Sequence, residues 1–222
     1  MGKKKDYVAI IKVKTRERLN PYFAGFRRKQ LKNKGFTIIS NNCWGGHVYR
    51  FFAMPYDSPT IGLYFFSADY IKFVSNLRYY IEQDLTFIDY TESKYKDELL
   101  KNNQLNVPIG KLHDVEIVFL HYHSIEEAQT KWNRRKERIH WDNLYYKMSE
   151  QNCCTKEHLE QFDSLDNPNK FVFVTKDYGL KTQVIFKDCA GMDYIPNDTT
   201  NFRKFINIIN WLNGKPFKLK QS

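Results

Sequence analysis

An α/β fold with a mixed, partly parallel sheet flanked by helices is predicted from three observations. Short apolar strands alternate with amphipathic helical stretches along the 222 residues. Two strands end abruptly in polar, chemically capable residues: Thr37-Ile38-Ile39-Ser40-Asn41-Asn42-Cys43-Trp44-Gly45-Gly46 and Glu116-Ile117-Val118-Phe119-Leu120-His121-Tyr122. A turn signal at Asp177-Tyr178-Gly179 between two apolar runs reads as a hairpin, which makes the sheet mixed. The chain reads as one α/β unit of residues 1–222. Two closely packed α/β subdomains, dividing near residue 105 or 150, are the alternative.

The elements follow from local pattern. Thr15 to Lys34 reads as a helix, with Leu19, Phe23, Phe26 and Leu31 at near-helical spacing, Pro21 near its start and Gly35 as its C-cap. Phe36 to Ser40 is a buried strand, followed by a tight turn and a short helical or irregular segment to Phe52. Ser58-Pro59-Thr60 is a turn. Tyr70, Phe73, Val74, Leu77 and Ile81 mark a helix from about Ser67 to Glu82. Thr86 to Asp89 and Val107 to Lys111 are weaker strands, and Asp114 to His121 is the strongest. The strands at 36–40 and 114–120 are expected to be central and near each other, with their carboxyl ends opening on one shared cleft. Ser124 with Glu127 forms a capping box for a helix reaching His140. Asn143 to Met148 reads as a strand and Thr155 to Ser164 as a short helix. Phe171 to Thr175 and Gln183 to Phe186 are strands, and Asn201 to Asn213 is a last helix ended by Gly214.

Composition narrows the functional classes. Hydrophobic residues make up 42% and aromatics 16%, enough for a packed core and against disorder. No apolar run approaches the ~18 residues of a membrane span. The stretch behind Lys3-Lys4-Lys5, from Tyr7 to Val13, is interrupted by Lys12 and makes a poor signal peptide. Cys43, Cys153, Cys154 and Cys189 show no CxxC spacing, so zinc and thioredoxin motifs are unsupported and a reducing cytoplasm is the simplest compartment. Lys plus Arg is 35 against 25 for Asp plus Glu, a formal charge of +10. That favours anionic partners: phosphate esters, nucleotide-sugars, acidic lipid or nucleic acid. A solvated lysine-rich surface is the bland alternative. No nucleic-acid motif is present, which makes nucleic acid the less favoured partner. Lys3-Lys4-Lys5 and Lys215 to Lys220 are expected to be mobile ends that hold the protein near an anionic inner leaflet.

Chemistry is expected where strands deliver their carboxyl ends. Cys43 follows a strand near a helix start, where the helix dipole favours a thiolate. His121 follows another strand, and an unperturbed imidazole titrates near 6.5, suited to base catalysis. Cys–His acyl transfer or hydrolysis is one reading of the pair, and a small buried thiol beside Trp44 is the other. Asn41 and Asn42 can orient a ligand or satisfy a turn. Gly45-Gly46 permits close backbone approach, but there is no GxGxxG or Walker loop, and a cofactor is left open. His113, His121 and His123 have no local acidic set at the strand's functional end, so no metal site is assigned. Ile125, Ala128, Trp132 and Ile139 form the buried stripe of the helix after Ser124, with Arg135 in or beside it. A buried Arg requires a partner: a diphosphate in the functional reading, Asp114 or Glu116 in the structural one.

Several blocks together resemble one bacterial family. They are SNNCWGG at 40–46, YDSPTIGL at 56–63, DYIKFVSNLRYY at 69–80, DVEIVFLHY at 114–122, EEAQTKWNRRKERI at 126–139 and the closing INWLNG. The family is the domain of unknown function numbered nineteen-nineteen, whose members are often labelled exopolysaccharide or capsular polysaccharide biosynthesis proteins. The match is best over about Phe36 to Asn143. The resemblance implies an α/β fold and a role beside glycosyltransferases in surface-polysaccharide production, but no mechanism. Asn41, Asn42, Cys43, Trp44, Ser58, Pro59, Thr60, His121, Tyr122, Trp132 and Arg135 sit in its motif positions. The expectation is a transferase acting on a sugar, nucleotide-sugar or lipid-linked sugar. Asn41, Asn42 and Thr60 would orient the substrate, with Trp44, Ser58 and Tyr122 lining it. His121 would be the base, Arg135 a phosphate ligand, and Cys43 nucleophile or pocket wall. A non-catalytic basic protein docking on a membrane-associated assembly or nucleic acid is the alternative from another class.

Overall fold

The structure is a computed structural model and describes residue 15 and residues 18–219. Lys3-Lys4-Lys5 and Lys220 lie outside these residues. The first helix, α1, covers residues 18–29 of the described chain. It ends before Gly35, because Leu31 N–H turns back to Arg28 O at 3.2 Å.

The elements then run β1 (Thr37–Ser40), α2 (Trp44–Phe52), α3 (Ser67–Ser75), α4 (Leu77–Glu82), β2 (Thr86–Ile88), α5 (Lys96–Lys101), β3 (Ile109–Leu112), β4 (Val115–Val118) and α6 (Ile125–Lys136). They continue with β5 (Leu144–Ser149), α7 (Lys156–Ser164), β6 (Lys170–Val174), β7 (Gln183–Ile185) and α8 (Ile208–Leu212). The expected 67–82 helix breaks at Asn76, whose φ of −139° is not helical. The last helix is shorter than expected because Asn207 caps it, its Oδ1 accepting from Asn210 N–H at 3.0 Å.

The class is mixed α/β. The order β1-β5-β6-β7 makes a parallel four-stranded sheet, and β2-β3-β4 makes an antiparallel three-stranded one. The period of two in a strand sorts the core. Ile38, Tyr145, Phe171, Phe173 and Val184 face α2 and α8 in one cluster. Ile39, Tyr146, Met148, Val172 and Val174 face α3, α6 and α7 in another. Both faces of the parallel sheet are thus buried, as parallel sheets require.

Two expectations are corrected. Asp177-Tyr178-Gly179 does turn, with Asp177 Oδ1 accepting from Gly179 N–H at 2.8 Å and Gly179 at φ +73°. Yet β6 and β7 are parallel, so the turn sits in a crossover and not in a hairpin. Glu150 holds Thr175 and the Tyr178 hydroxyl, and Asp163 holds Thr182, which fixes the loop along this route. Second, β1 and β4 are not central. Each is the edge strand of its own sheet. They are linked by the segment after Ser58. Tyr64 exchanges backbone hydrogen bonds with Val118 at 2.9 Å, and Phe65 N–H donates to Asn41 O at 3.0 Å.

The carboxyl ends of β1 and β5 are tied by a buried side chain. Tyr70 Oη lies 2.9 Å from both Ile39 O and Lys147 O. Tyr70→Phe deletes that donor while keeping the ring. Urea unfolding of this variant should show a loss of about 1 kcal/mol; an unchanged midpoint would mean the hydroxyl contributes nothing to the strand pairing.

Candidate functional site

The turn after β1 is held from three sides. Asn41 is fully buried and copies a backbone pairing: its Nδ2 donates to Ser149 O at 3.0 Å and its Oδ1 accepts from Ser149 N–H at 3.1 Å. Ser58 and Thr60 cover the outer edge of β1. Ser58 Oγ donates to Ile38 O at 2.6 Å, and Thr60 Oγ1 accepts from Ser40 N–H at 3.2 Å. Both hydroxyls are buried and spent on main chain. Trp44 is fully buried among Phe171, Phe173, Phe202 and Trp211. These side chains build the wall behind the site.

Asn42 is the hub. Its Nδ2 donates to both Asp198 oxygens at 3.0 and 3.1 Å. Its Oδ1 accepts from Lys147 Nζ and from Trp44 N–H, each at 3.1 Å. Lys147 and Asp198 form an ion pair with both side chains buried, and Ser149 Oγ also donates to Asp198. The Lys147 ammonium further lies 5.6 Å from the Trp44 and Phe173 ring centres. Burial pushes the Asp198 carboxyl up. The Lys147 charge and the bonds from Lys147, Ser149 and Asn42 outweigh it and hold the group below its ordinary value. Burial draws Lys147 below its own ordinary value against the pull of Asp198. Sequence reasoning missed Lys147, Ser149 and Asp198. A lysine inside a strand buried on both faces, in Leu144-Tyr145-Tyr146-Lys147-Met148-Ser149, was the available signal.

Cys43 is half-buried at the start of α2. Its Sγ donates to Leu63 O at 3.7 Å. The expected dipole effect does not prevail. Burial first and the nearby Asp198 charge second raise the thiol to about 11, against smaller opposing effects of Lys147 and a backbone hydrogen bond. His47 lies one helical turn on, at i+4 from Cys43 and so on the same face of α2. That spacing was readable and went unread.

The residues after β4 reach the same segment from the other side. His121 N–H donates to Gly62 O at 3.0 Å, and its side chain is exposed. Tyr122 is buried, with its hydroxyl donating to Ile61 O. Gly62 has φ +78°, and a Cβ there would sit 3.0 Å from the Tyr122 ring, so glycine is required twice over. Cys43, His121 and Tyr122 therefore surround residues 61–63.

Arg135 completes the cluster. It is only 6% exposed. Nη1 donates to Ile61 O at 3.1 Å and to Tyr122 Oη at 2.6 Å, and the guanidinium lies 5.2 Å from the Tyr56 ring centre. No carboxylate among the described residues pairs with it. The two structural partners considered from sequence are engaged elsewhere: Asp114 with Lys72 and Tyr80, Glu116 with Ser93 and Lys94 N–H. A guanidinium has five N–H donors, and Nη1 supplies only two. Nη2 and Nε remain for a ligand.

A mixed α/β protein is thus defined, with a largely buried guanidinium on a phenol and on the segment 61–63 that the Cys43 thiol and the His121 backbone also meet. The chain belongs to the family described as Domain of unknown function (DUF1919), which matches residues 14–213. It is also similar to an "Uncharacterized protein" of Haemophilus influenzae (strain ATCC 51907 / DSM 11121 / KW20 / Rd), 36% identical over 151 residues, covering 68% of this chain and 67% of that one. Among the described residues no helix is long and apolar enough to cross a membrane, and no cluster of metal-ligating side chains occurs.

Two outcomes follow from this geometry. Lys147→Met strands a buried carboxylate and should cost about 3–5 kcal/mol in urea unfolding, most of it recovered when Asp198→Leu is added. Asp198 is depressed in the folded state, so its contribution is complete above the unfolded value of about 3.9 and is lost as pH falls through the lower folded value. Wild type should lose more stability between pH 4 and 2 (about the carboxylate range) than the double variant does. For the thiols, iodoacetamide at neutral pH should label exposed Cys153 first and Cys43 slowly, with Cys43 accelerating towards pH 11. Rapid labelling of Cys43 at neutral pH would contradict the burial argument.

Proposed function

We propose that this protein is a group-transfer enzyme of surface-polysaccharide assembly that binds a phosphorylated sugar donor through Arg135. One observation carries the reading: a buried guanidinium with three unspent N–H donors and no carboxylate partner among the described residues. Nε and Nη2 are not buried without a partner, so they keep contact with solvent, where an anion arriving with the substrate can take their N–H groups. Guanidinium geometry matches a phosphate or diphosphate through paired N–H donors. The formal charge of +10 draws such ligands to the surface.

In this reading the donor phosphate lies on Arg135, with Tyr56 and Tyr122 flanking it. Arg135 stabilises charge that builds on the leaving phosphate. His121, exposed after β4, takes the proton from an acceptor hydroxyl. Cys43 is a pocket wall at rest, since its thiol is held protonated. Asn41, Asn42, Ser58 and Thr60 act through the backbone they position. The acceptor is a sugar, free or lipid-linked, which fits work at the cytoplasmic face of a membrane.

A thermal-shift panel of nucleotide-sugars, free nucleotides and acyl donors tests this. A nucleotide-sugar at 100 times its Kd should stabilise the fold by about 2.7 kcal/mol. Arg135→Gln should remove the shift while keeping the wild-type circular dichroism, and His121→Ala should keep the shift but lose transfer. An undiminished shift in Arg135→Gln would refute the assignment. An acyl-donor hit with none from nucleotide-sugars would favour Cys43–His121 acyl transfer instead.

A further inference from the structure

We propose that the outward aromatic face of α1, with its basic rim, docks on an anionic lipid bilayer. Leu19, Tyr22, Phe23 and Phe26 stand at i, i+3, i+4 and i+7, one stripe of the helix. In a globular protein such a stripe normally faces the core. Here their exposures are 47, 80, 54 and 69%.

The cause is electrostatic. α2 ends with carbonyls at the negative end of its dipole: Arg50 O accepts from Ala53 N–H at 3.0 Å, and those of Phe51 and Phe52 have no helical partner. α1 supplies the donors. Asn20 Nδ2 donates to Arg50 O at 2.7 Å, Arg27 Nη1 to Phe51 O at 2.9 Å, and Arg28 Nη1 to Phe52 O at 2.7 Å and Ala53 O at 3.2 Å. Ala24 is fully buried on the same side. The helix is seated by its polar side, and its apolar side is turned out.

The surroundings of the stripe select the partner. Arg18, Lys29, Lys32 and Lys34 are exposed, and no Asp or Glu occurs from Arg18 to Tyr56. Aromatic and leucine side chains that enter the headgroup boundary, flanked by basic residues that meet anionic headgroups, describe an interfacial helix. A second copy is a poor occupant. A twofold contact would set this patch on its own image and bring two rims of the same sign together. The surface is also distinct from the lysine ends expected from sequence. Lys215 to Leu219 are pinned to the fold: Lys218 pairs with Ile206, and Leu219 N–H donates to Phe205 O at 2.9 Å.

Co-sedimentation of the full chain with vesicles tests the proposal. Phosphatidylcholine alone should bind at least tenfold more weakly than a phosphatidylcholine–phosphatidylglycerol mixture, a difference of about 1.4 kcal/mol that one or two basic contacts supply. Phe23→Ser with Phe26→Ser, and separately Lys29→Gln with Lys32→Gln, should each reduce binding to the mixture severalfold at unchanged melting temperature. Wild-type binding in both variants overturns the proposal. So does wild type that binds no vesicle, whether because other parts of the chain cover the face, shown by a lowered melting temperature in the phenylalanine variant, or because copies associate through it, shown by light scattering. Arg135→Gln should bind vesicles normally, so this result and the donor-binding result fail or succeed independently.

Discussion

The buried ion pair between Lys147 and Asp198 is the interaction on which the site-bearing part of the molecule depends. Lys147 belongs to β5, next to β1, and Asp198 to the chain beyond β7. Two charges in a dry interior are tolerated only when every remaining donor and acceptor is used. Asn42 and Ser149 provide those bonds. The consequence is that Asn42 cannot move without exposing a buried charge. The turn carrying Asn41 to Gly46 is thus set against β5 and against the segment around Asp198 at once.

From that anchor the geometry propagates outward in one direction. A fixed Asn42 accepts from Trp44 N–H and so fixes the start of α2. The start of α2 places the Cys43 thiol against Leu63 O. Residues 61–63 in turn receive His121, Tyr122 and Arg135. Among the described residues the strand order β1-β5-β6-β7 does not reverse, so the parallel sheet offers no topological switch point for a ligand. The cluster forms at the outer edge of β1 instead, where the segment from Ser58 to Phe65 covers it and joins the two sheets.

Much of this was readable in the chain, and the reasons for the rest are physical. The run from Thr37 into Ser40-Asn41-Asn42-Cys43 announced a strand and a turn, and the spacing of Ala128 and Trp132 placed Arg135 on a buried stripe, whereas Ile125, expected on that stripe, sits in the first turn of α6 and is 52% exposed. Lys147 carried a signal, a lysine in a strand apolar on both sides, but a lysine in a strand ordinarily marks the wet face, and β5 has none. Asp198 is 51 residues away from it, and nothing local records the pairing. Turn chemistry at Asp177-Tyr178-Gly179 was identified, but a turn does not state whether the chain reverses or crosses over. The stripe of α1 was visible as a pattern. That it faces outward depends on carbonyls of α2, which no periodicity in α1 reveals.

Hydrogen exchange read by mass spectrometry on Asp198→Asn tests the central claim most directly. The substitution keeps the side-chain volume and removes the charge. If the ion pair fixes the site-bearing turn, amide protection should fall together at residues 40–46, 147–150 and 195–200, with β6 unchanged. Loss of protection confined to residues 195–200 would contradict the account, because the turn after β1 would then hold its place without the pair.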